Sequence, residues 1–246
     1  MEPVAERRSM PDRPEKDDDA GAREIRSFGR RRGRSPSARQ ADLWDTQLPQ
    51  LALDLATPAP TRLSALFTSS VTDVWLEIGF GGGEHLVWQA QNNPDVGLIG
   101  CEPFQDGVIK VLDAIDSQGL GNMRLHADDA RDVLRWLPEA SIARAFVLFP
   151  DPWPKRKHLK RRLVNANLLA MLARVIRPGG QLRLGTDIAD YARTMLIAAQ
   201  SVPRLRWTAT TADDWRIRPA DWPQTRYETK AVREGRVSCY LVFERC

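Results

Sequence analysis

From residue 72 onward, short apolar segments alternate with segments of helical length and periodicity, and this alternation limits the fold more than any other feature. A chain that alternates in this way builds a parallel sheet, because each helix returns the chain to the edge where the next strand starts. We therefore predict an α/β fold, with a seven-stranded, mostly parallel sheet and helices on both faces. The predicted strands are residues 74–78, 96–101, 123–126, 143–149, 181–185, 205–208 and 238–243, and the predicted helices are residues 83–91, 106–115, 130–136, 163–176 and 188–199.

The first 40 residues have a different composition. They are polar, rich in arginine, aspartate, serine and proline, and show no apolar periodicity. A segment of this kind cannot bury enough apolar surface to fold by itself. We predict a disordered basic arm at residues 1–40, which is either a solvated tail or a segment that orders on binding, and one domain at residues 41–246.

Composition disfavours membrane, secreted and metal-binding classes. No apolar run approaches the ~20 residues that a membrane span needs, and the charged N-terminus lacks the apolar stretch of a secretory signal. Cys101, Cys239 and Cys246 are scattered without metal-ligand spacing, so we expect free thiols and no metal. We predict a cytoplasmic protein that does not engage membranes.

A glycine-rich turn follows the first predicted strand. Residues 76–83 read LEIGFGGG, so Glu77 stands at the end of an apolar strand and Gly79 opens the turn. Ligands of parallel sheets bind at the carboxyl ends of the strands, and glycine lets the backbone approach them closely. The match to the dinucleotide motif G-x-G-x-x-G is incomplete, because Glu84 occupies the last position. A tight turn that binds nothing is the alternative.

Acidic residues at three strand ends indicate which ligand this turn would bind. Glu77 needs a cationic or hydrogen-donating partner inside a buried strand. Glu102 follows the second strand, where a carboxylate can accept hydrogen bonds from a ribose diol, and Asp129 follows the third, where it can accept from an adenine amino group. An acid before the glycines disfavours a pyrophosphate. We therefore predict S-adenosylmethionine, which carries an ammonium and a sulfonium, over a nicotinamide dinucleotide.

The fourth predicted strand leads into the sequence FPDPW at residues 149–153, here called the acid loop. Prolines on both sides of Asp151 restrict the backbone and hold its carboxylate in place. Trp153 offers a flat face on which a base can stack, worth ~1–3 kcal/mol in single-stranded nucleic-acid sites. This combination favours a nucleobase pocket over a stiff loop with a buried tryptophan.

Basic residues follow the acid loop directly. Six of the eight residues from Lys155 to Arg162, here called the basic run, are lysine or arginine, and none is acidic. Side chains of this kind hold nucleic-acid phosphates, although a solvated helix start has the same composition. A second basic cluster, RRRGR, occupies residues 30–34. The net charge of +4 says less about nucleic-acid binding than this clustering does.

Two further polar groups fall near the same edge of the predicted sheet. Asp187 follows the fifth strand, so it reaches the ligand-binding end. The sequence TRYETK at residues 225–230 precedes the last strand. In isolation it predicts no more than a hairpin edge that could complete the pocket.

Taken in order, these segments resemble the tRNA (guanine-N7)-methyltransferase family. The matching pieces are LEIGFG (76–81), GCE (100–102), DA (129–130), FPDPW (149–153), KRKHLKRR (155–162), TD (186–187) and TRYE (225–228), with IRSF (25–28) in the arm. The acid loop followed by the basic run is the most specific part. Departures from the family pattern lie in the arm, at Gly29 and at residues 35–38.

The resemblance implies a Rossmann-like class I methyltransferase fold. It implies transfer of a methyl group from S-adenosyl-L-methionine to N7 of a guanine in the variable loop of tRNA, position 46 in tRNA numbering, with Asp151 as the catalytic residue. The implied cofactor contacts are Glu77, Gly79, Glu102, Asp129 and Asp151, and the implied substrate contacts are Lys155, Asp187, Thr225, Arg226, Tyr227 and Glu228. No obligate protein partner is expected, and a monomer and a homodimer both stay open.

Two other activities stay open on the sequence alone. A methyltransferase that acts on an exocyclic amine of a base is the first, because its Asp-Pro-Pro-Tyr loops loosely resemble residues 151–153. An RNA-binding module with a vestigial cofactor fold is the second. The acids Glu77, Glu102 and Asp129 disfavour it, since a vestigial site has no need of them.

Overall fold

The computed structural model describes residues 31, 33 and 35–246. The rest of the predicted arm, including IRSF and Gly29, lies outside the described residues. The first helix, α1 (Ala38–Asp42), begins within residues 1–40 because the Ser37 side chain caps it by accepting from the Gln40 amide. Whether residues 1–40 form a separate arm stays a prediction.

A seven-stranded sheet organises the domain. The strands are β1 (Asp73–Ile78), β2 (Val96–Cys101), β3 (Met123–His126), β4 (Ile142–Leu148), β5 (Ile176–Thr186), β6 (Leu205–Trp207) and β7 (Cys239–Arg245). Their spatial order is β3-β2-β1-β4-β5-β7-β6. The first five strands pair in parallel, and β7 runs antiparallel between β5 and β6. The predicted seven-stranded, mostly parallel sheet is therefore confirmed.

Helices connect the strands. They are α2 (Leu48–Leu51), α3 (Glu84–Asn92), α4 (Gln105–Gln118), α5 (Ala130–Trp136), α6 (Ala166–Val175), α7 (Ala189–Gln200), α8 (Asp213–Arg216) and α9 (Arg226–Arg233), with 3₁₀ turns at Leu63–Leu66 and Arg156–Arg161 and a π-helical turn at Leu43–Gln47. Within the ranges that the structure describes, no helix combines the length and the apolar content that crossing a bilayer requires.

The core lies on both faces of the sheet. One apolar cluster includes Leu134 of α5, Leu172 of α6 and Met195 of α7, and a second includes Leu86 of α3 and Leu112 of α4. Neighbouring residues of β1 point into different clusters, as expected for a strand buried on both faces. The strand ends are therefore fixed by packing on two sides.

Four segments differ clearly from the prediction, and the first is strand β5, which begins at Ile176, five residues earlier than predicted. Phe149 turns out of β4 with a φ of 50° instead of ending the strand. Helix α6 begins three residues later than predicted, because the Asn165 side chain accepts from the Leu168 amide at 3.1 Å and caps it. The hairpin edge predicted at residues 225–230 was wrong, since these residues cap and begin helix α9.

Candidate active site

The carboxyl ends of β1, β2 and β4 open onto one cavity of about 350 Å³. Adjacent parallel strands end at the same edge, so residues far apart in sequence meet there. The residues that line this cavity include Gly79, Glu102, Asp128, Asp151 and Tyr227. The structure thus brings the glycine turn, two of the predicted acids and the C-terminal polar group to a single site.

The glycine turn depends on glycine for its backbone conformation, and helix α4 packs closely against it. Gly79 and Gly81 have φ angles of 74° and 56°, in the left-handed region that favours glycine. Gly107 of α4 lies against the turn, and a Cβ there would stand 2.0 Å from the Gly81 carbonyl oxygen. The close packing of helix α4 therefore fixes the position of the turn relative to the strand ends.

Glu102 joins the glycine turn to the end of β2. Its carboxylate accepts hydrogen bonds from the Gly81 amide at 2.7 Å and from the Phe104 amide at 2.9 Å. Burial raises the pKa of Glu102, the two amides oppose that rise, and the charges of Asp151 and Glu77 add to it. A cation bound in the cavity would relieve this accumulation of negative charge.

Glu77 has the hydrogen-donating partner that its position requires. Its Oε2 accepts from Nδ1 of His85 at 2.7 Å, and the Gln89 amide nitrogen lies 3.1 Å from Nε2 of the same ring. Gln89 also donates to the Asp221 carbonyl at 2.7 Å. The His85 ring packs edge-on against Phe146 at 4.6 Å. Glu77, only 2% exposed, is thus fixed in place by the hydrogen bonds that run through His85 and Gln89.

The acid at the end of β3 is engaged locally. Asp129 caps α5 by accepting from the Arg131 amide at 3.0 Å and pairs with the Arg131 guanidinium at 2.9 Å. Its neighbour Asp128 is the one that lines the cavity, and it pairs with Arg31 at 2.8 Å. Asp128, Ala130 and Arg131 therefore line the cavity, whereas Asp129 is buried and is not among the lining residues.

The acid loop is strained at both ends. Phe149 and Trp153 have φ angles of 50° and 42°, which non-glycine residues rarely adopt. Between them Asp151 stands at the cavity mouth, exposed on one side and covered on the other, and burial raises the pKa of its carboxyl group. Strained residues of this kind cluster at functional sites.

The basic run divides into an exposed part and a buried end. Lys155, Arg156 and Lys157 are exposed, as the phosphate-binding interpretation requires. Arg161 stacks over the Trp153 ring at 5.0 Å, and His158 meets the same ring edge-on at 5.7 Å. Arg162, at the end of the run, is buried, which the phosphate-binding interpretation did not anticipate.

Helix α9 delivers the C-terminal polar group to the cavity. Thr225 caps the helix by accepting from the Glu228 amide at 3.3 Å, and Arg226 pairs with Glu84 at 3.3 Å. Tyr227 lines the cavity and lies over the glycine turn. Glu228 is buried, where it accepts from the Tyr240 hydroxyl at 2.5 Å and pairs with Arg218 at 3.1 Å. Tyr227 is thus the member of this group that faces the cavity.

Asp187 lies just after β5 and is paired rather than free. Nε of Arg236 donates to its Oδ2 at 2.6 Å, and the same guanidinium also contacts Glu234. The pair ties the end of β5 to the segment between α9 and β7.

Comparison with known proteins assigns this arrangement to a family. A model described as "Putative methyltransferase" matches residues 72–241. The tRNA (guanine-N(7)-)-methyltransferase of Chelativorans sp. is 47% identical over 218 residues, which are 89% of this chain and 94% of that protein. That of Rhodospirillum rubrum is 48% identical over 239 residues, 96% of this chain and 91% of that protein. The chain belongs to the tRNA (guanine-N(7)-)-methyltransferase family.

Solved structures agree with the fold of this family member. The 16S rRNA methyltransferase KamB superposes with a TM-score of 0.50 at 16% identity, covering 72% of this chain and 90% of that one. TrmN from Thermus thermophilus superposes with a TM-score of 0.51 at 17% identity, covering 75% and 47%. Identities this low show the fold alone, which is the class I methyltransferase fold.

For this tRNA (guanine-N(7)-)-methyltransferase family member, the sequence motifs did not identify His85 or Asp128, and they placed Arg162 in the basic run without predicting its burial. The motifs gave no signal for the burial of His85 or Arg162. The sequence TRYE at residues 225–228, in contrast, carries the T-x-x-E pattern that predicts a capped helix start. That pattern would have located α9.

Proposed function

We propose that this chain transfers a methyl group from S-adenosyl-L-methionine to N7 of the guanine at position 46 in the variable loop of tRNA. The observation that carries the proposal is the position of Asp151, on a strained loop between an acidic cavity and an exposed basic run. This chain matches the relatives over nearly their whole length, and they are named tRNA (guanine-N(7)-)-methyltransferases. Their names support the same reaction.

The cavity suits a cationic adenosine derivative. Its acids Glu102 and Asp151 have pKa values raised by burial, so a bound positive charge would be stabilised there. We propose Glu77, Gly79, Glu102, Asp129 and Asp151 as the cofactor contacts. S-adenosylmethionine supplies, when bound, a methyl group on a sulfonium that is already a good leaving group.

The protein's part in the reaction is to position the base and to stabilise charge. Guanine N7 has an in-plane lone pair and no proton, so no side chain has to act as a general base. The ring becomes cationic as the new bond forms, and the fixed carboxylate of Asp151 stabilises that charge. It can also accept hydrogen bonds from the guanine N1–H and N2 amino group, which would hold N7 in line.

Exposed residues around the cavity are the proposed tRNA contacts. Lys155 and the adjacent exposed lysines and arginines would hold phosphates, which position the substrate without reading its sequence. Tyr227 faces the cavity directly, whereas we propose that Asp187, Thr225, Arg226 and Glu228 shape the substrate site through their contacts. We also propose that the enzyme is cytoplasmic and works as a monomer or homodimer without an obligate protein partner.

Incubation of the protein with methyl-labelled cofactor and unmodified tRNA tests the proposal. We expect N7-methylguanosine by nucleoside mass spectrometry, and cleavage mapping should place it in the variable loop. N6-methyladenosine or N2-methylguanosine as the only product would replace the proposal with the exocyclic-amine activity. If no product forms, calorimetry of S-adenosylmethionine binding without tRNA distinguishes two explanations. An enzyme given an unsuitable tRNA would still bind the cofactor, whereas a pure RNA-binding module would not.

Cofactor affinity is expected to fall as the pH is lowered through the pKa of Glu102. The pKa of Glu102 is raised, so its carboxylate protonates at a higher pH than an ordinary glutamate, and the protonated form does not attract the cation. Binding of the cation therefore expels a proton, and affinity should drop by up to about tenfold per pH unit below that pKa. Titration calorimetry between neutral and mildly acidic pH measures this.

Glu102→Gln is the control for this pH dependence. This variant should bind S-adenosylmethionine weakly at neutral pH, and its affinity should depend less on pH. The dependence that remains would come from Asp151. An affinity that rises on acidification would contradict the acidic-cavity account.

A further inference from the structure

Arg162 belongs to the basic run by sequence but not by position. It is 4% exposed, whereas Arg156, Lys157 and Lys160 on the preceding 3₁₀ turn are exposed. A phosphate contact requires a cationic group that the nucleic-acid backbone can reach. The Arg162 guanidinium points inward, away from such a contact.

Each nitrogen of this guanidinium donates a hydrogen bond to the protein. Its Nε donates to the Pro152 carbonyl at 2.9 Å, Nη1 donates to Oγ1 of Thr194 at 2.6 Å, and Nη2 donates to Oδ2 of Asp190 at 2.6 Å. The plane of the group also lies over the Tyr191 ring at 4.7 Å. Since the guanidinium is rigid and planar, these contacts fix the distance between the acid loop and helix α7.

The contact to Pro152 acts on the strained part of the acid loop. Pro152 stands between Asp151 and Trp153, and the φ angles of Phe149 and Trp153 are both in the left-handed region. Strained backbone persists only where surrounding contacts hold it. Without the Arg162 hydrogen bond, the loop can relax toward ordinary φ angles, and the Asp151 carboxylate would move with it.

We propose that Arg162 is a positioning residue that holds Asp151 in place for methyl transfer, and that it does not contact tRNA phosphate. This inference rests on the proposed function. The two roles differ in what they change: loss of a phosphate contact weakens tRNA binding, whereas loss of loop geometry slows the reaction of bound tRNA.

Steady-state kinetics on Arg162→Gln and Arg162→Lys, with Lys157→Gln for comparison, distinguish these roles. We expect both Arg162 variants to lower kcat by roughly 100-fold, the scale of a small misplacement of catalytic groups, while KM for tRNA changes by less than about threefold. Lys157→Gln should instead raise KM for tRNA and reduce the slope of log KM against log salt by about one unit.

The lysine variant decides whether charge alone is sufficient. Lysine keeps the positive charge but cannot reach Pro152, Thr194 and Asp190 together. Recovery of kcat in Arg162→Lys, or a raised KM with normal kcat in Arg162→Gln, would overturn the inference. Thermal melting of each variant shows whether the loss of activity reflects unfolding.

Thr194→Val keeps the inference testable if the Arg162 variants do not fold. It removes one anchor of the guanidinium from the opposite side, without touching the basic run or any charge. We expect a roughly tenfold lower kcat with unchanged salt dependence, and a normal kcat would count against the inference. If the wild-type chain itself fails to methylate tRNA guanine, the proposed function fails, and that outcome is separate from any result on Arg162.

Discussion

Replacing Asp151 by alanine is expected to lower the turnover of tRNA methylation by roughly 10³-fold, the scale seen when one preorganised charge-stabilising group is lost. The carboxylate sits at the cavity mouth on a loop whose backbone is strained at Phe149 and Trp153, so its position is specified by the surrounding structure. Single-turnover kinetics with saturating tRNA and cofactor measure the chemical step. Calorimetry should show that S-adenosylmethionine affinity changes far less.

Two further variants sharpen the Asp151 test. Asp151→Asn keeps the size and one acceptor oxygen but removes the charge, so recovery of the rate in this variant assigns Asp151 to positioning, and continued loss assigns it to charge stabilisation. Asp128→Ala removes another carboxylate from the same cavity wall and should affect turnover less than tenfold. A near-normal rate in Asp151→Ala would exclude Asp151 as a central residue.

Replacing His85 by alanine should destabilise the domain by about 3 kcal/mol or more. The change leaves the buried Glu77 carboxyl without its 2.7 Å donor, and an unpaired group of this kind costs several kcal/mol. It also removes a ring that packs against Phe146 at 4.6 Å. Urea unfolding of the cofactor-free protein measures the free energy of unfolding, with S-adenosylmethionine affinity as a second readout.

The double variant His85→Ala/Glu77→Gln separates the two causes. It removes the charge that the single variant leaves unpaired, so it should regain part of the lost stability, and the part it does not regain reports the lost packing. His85→Asn, which places an amide donor near the position of Nδ1, should lose less than His85→Ala. A cost under 1 kcal/mol for His85→Ala would show that Glu77 does not depend on this bond.

Glu102 and Asp151, which the sequence predicted at the cavity and which line it, both follow strands. Glu102 and Asp151 meet because β2 and β4 flank β1, and parallel strands end at one edge. The strands themselves were predictable, because burial on both faces requires a continuous apolar run. Their positions depend on local pattern, which a sequence displays.

The partners of the site residues were not predictable in the same way. Within KRKHLKRR, nothing distinguishes Arg162 from its neighbours, since its burial depends on the packing of Asp190 and Thr194 on α7. His85 similarly has no local signal for its bond to Glu77. These contacts arise from how helices pack on the sheet, and no periodicity in the sequence encodes them.

The antiparallel position of β7 has a consequence for the order in which the protein can mature on the ribosome. β7 lies between β5 and β6, so β6 has no sheet partner until residues 239–245 have been synthesised. Tyr240 of the same strand donates to Glu228 and so anchors α9, which carries Tyr227 to the cavity. A nascent chain can therefore assemble the parallel half of the domain before β7 emerges, but the cavity wall that Tyr227 forms is completed only after β7 has been translated.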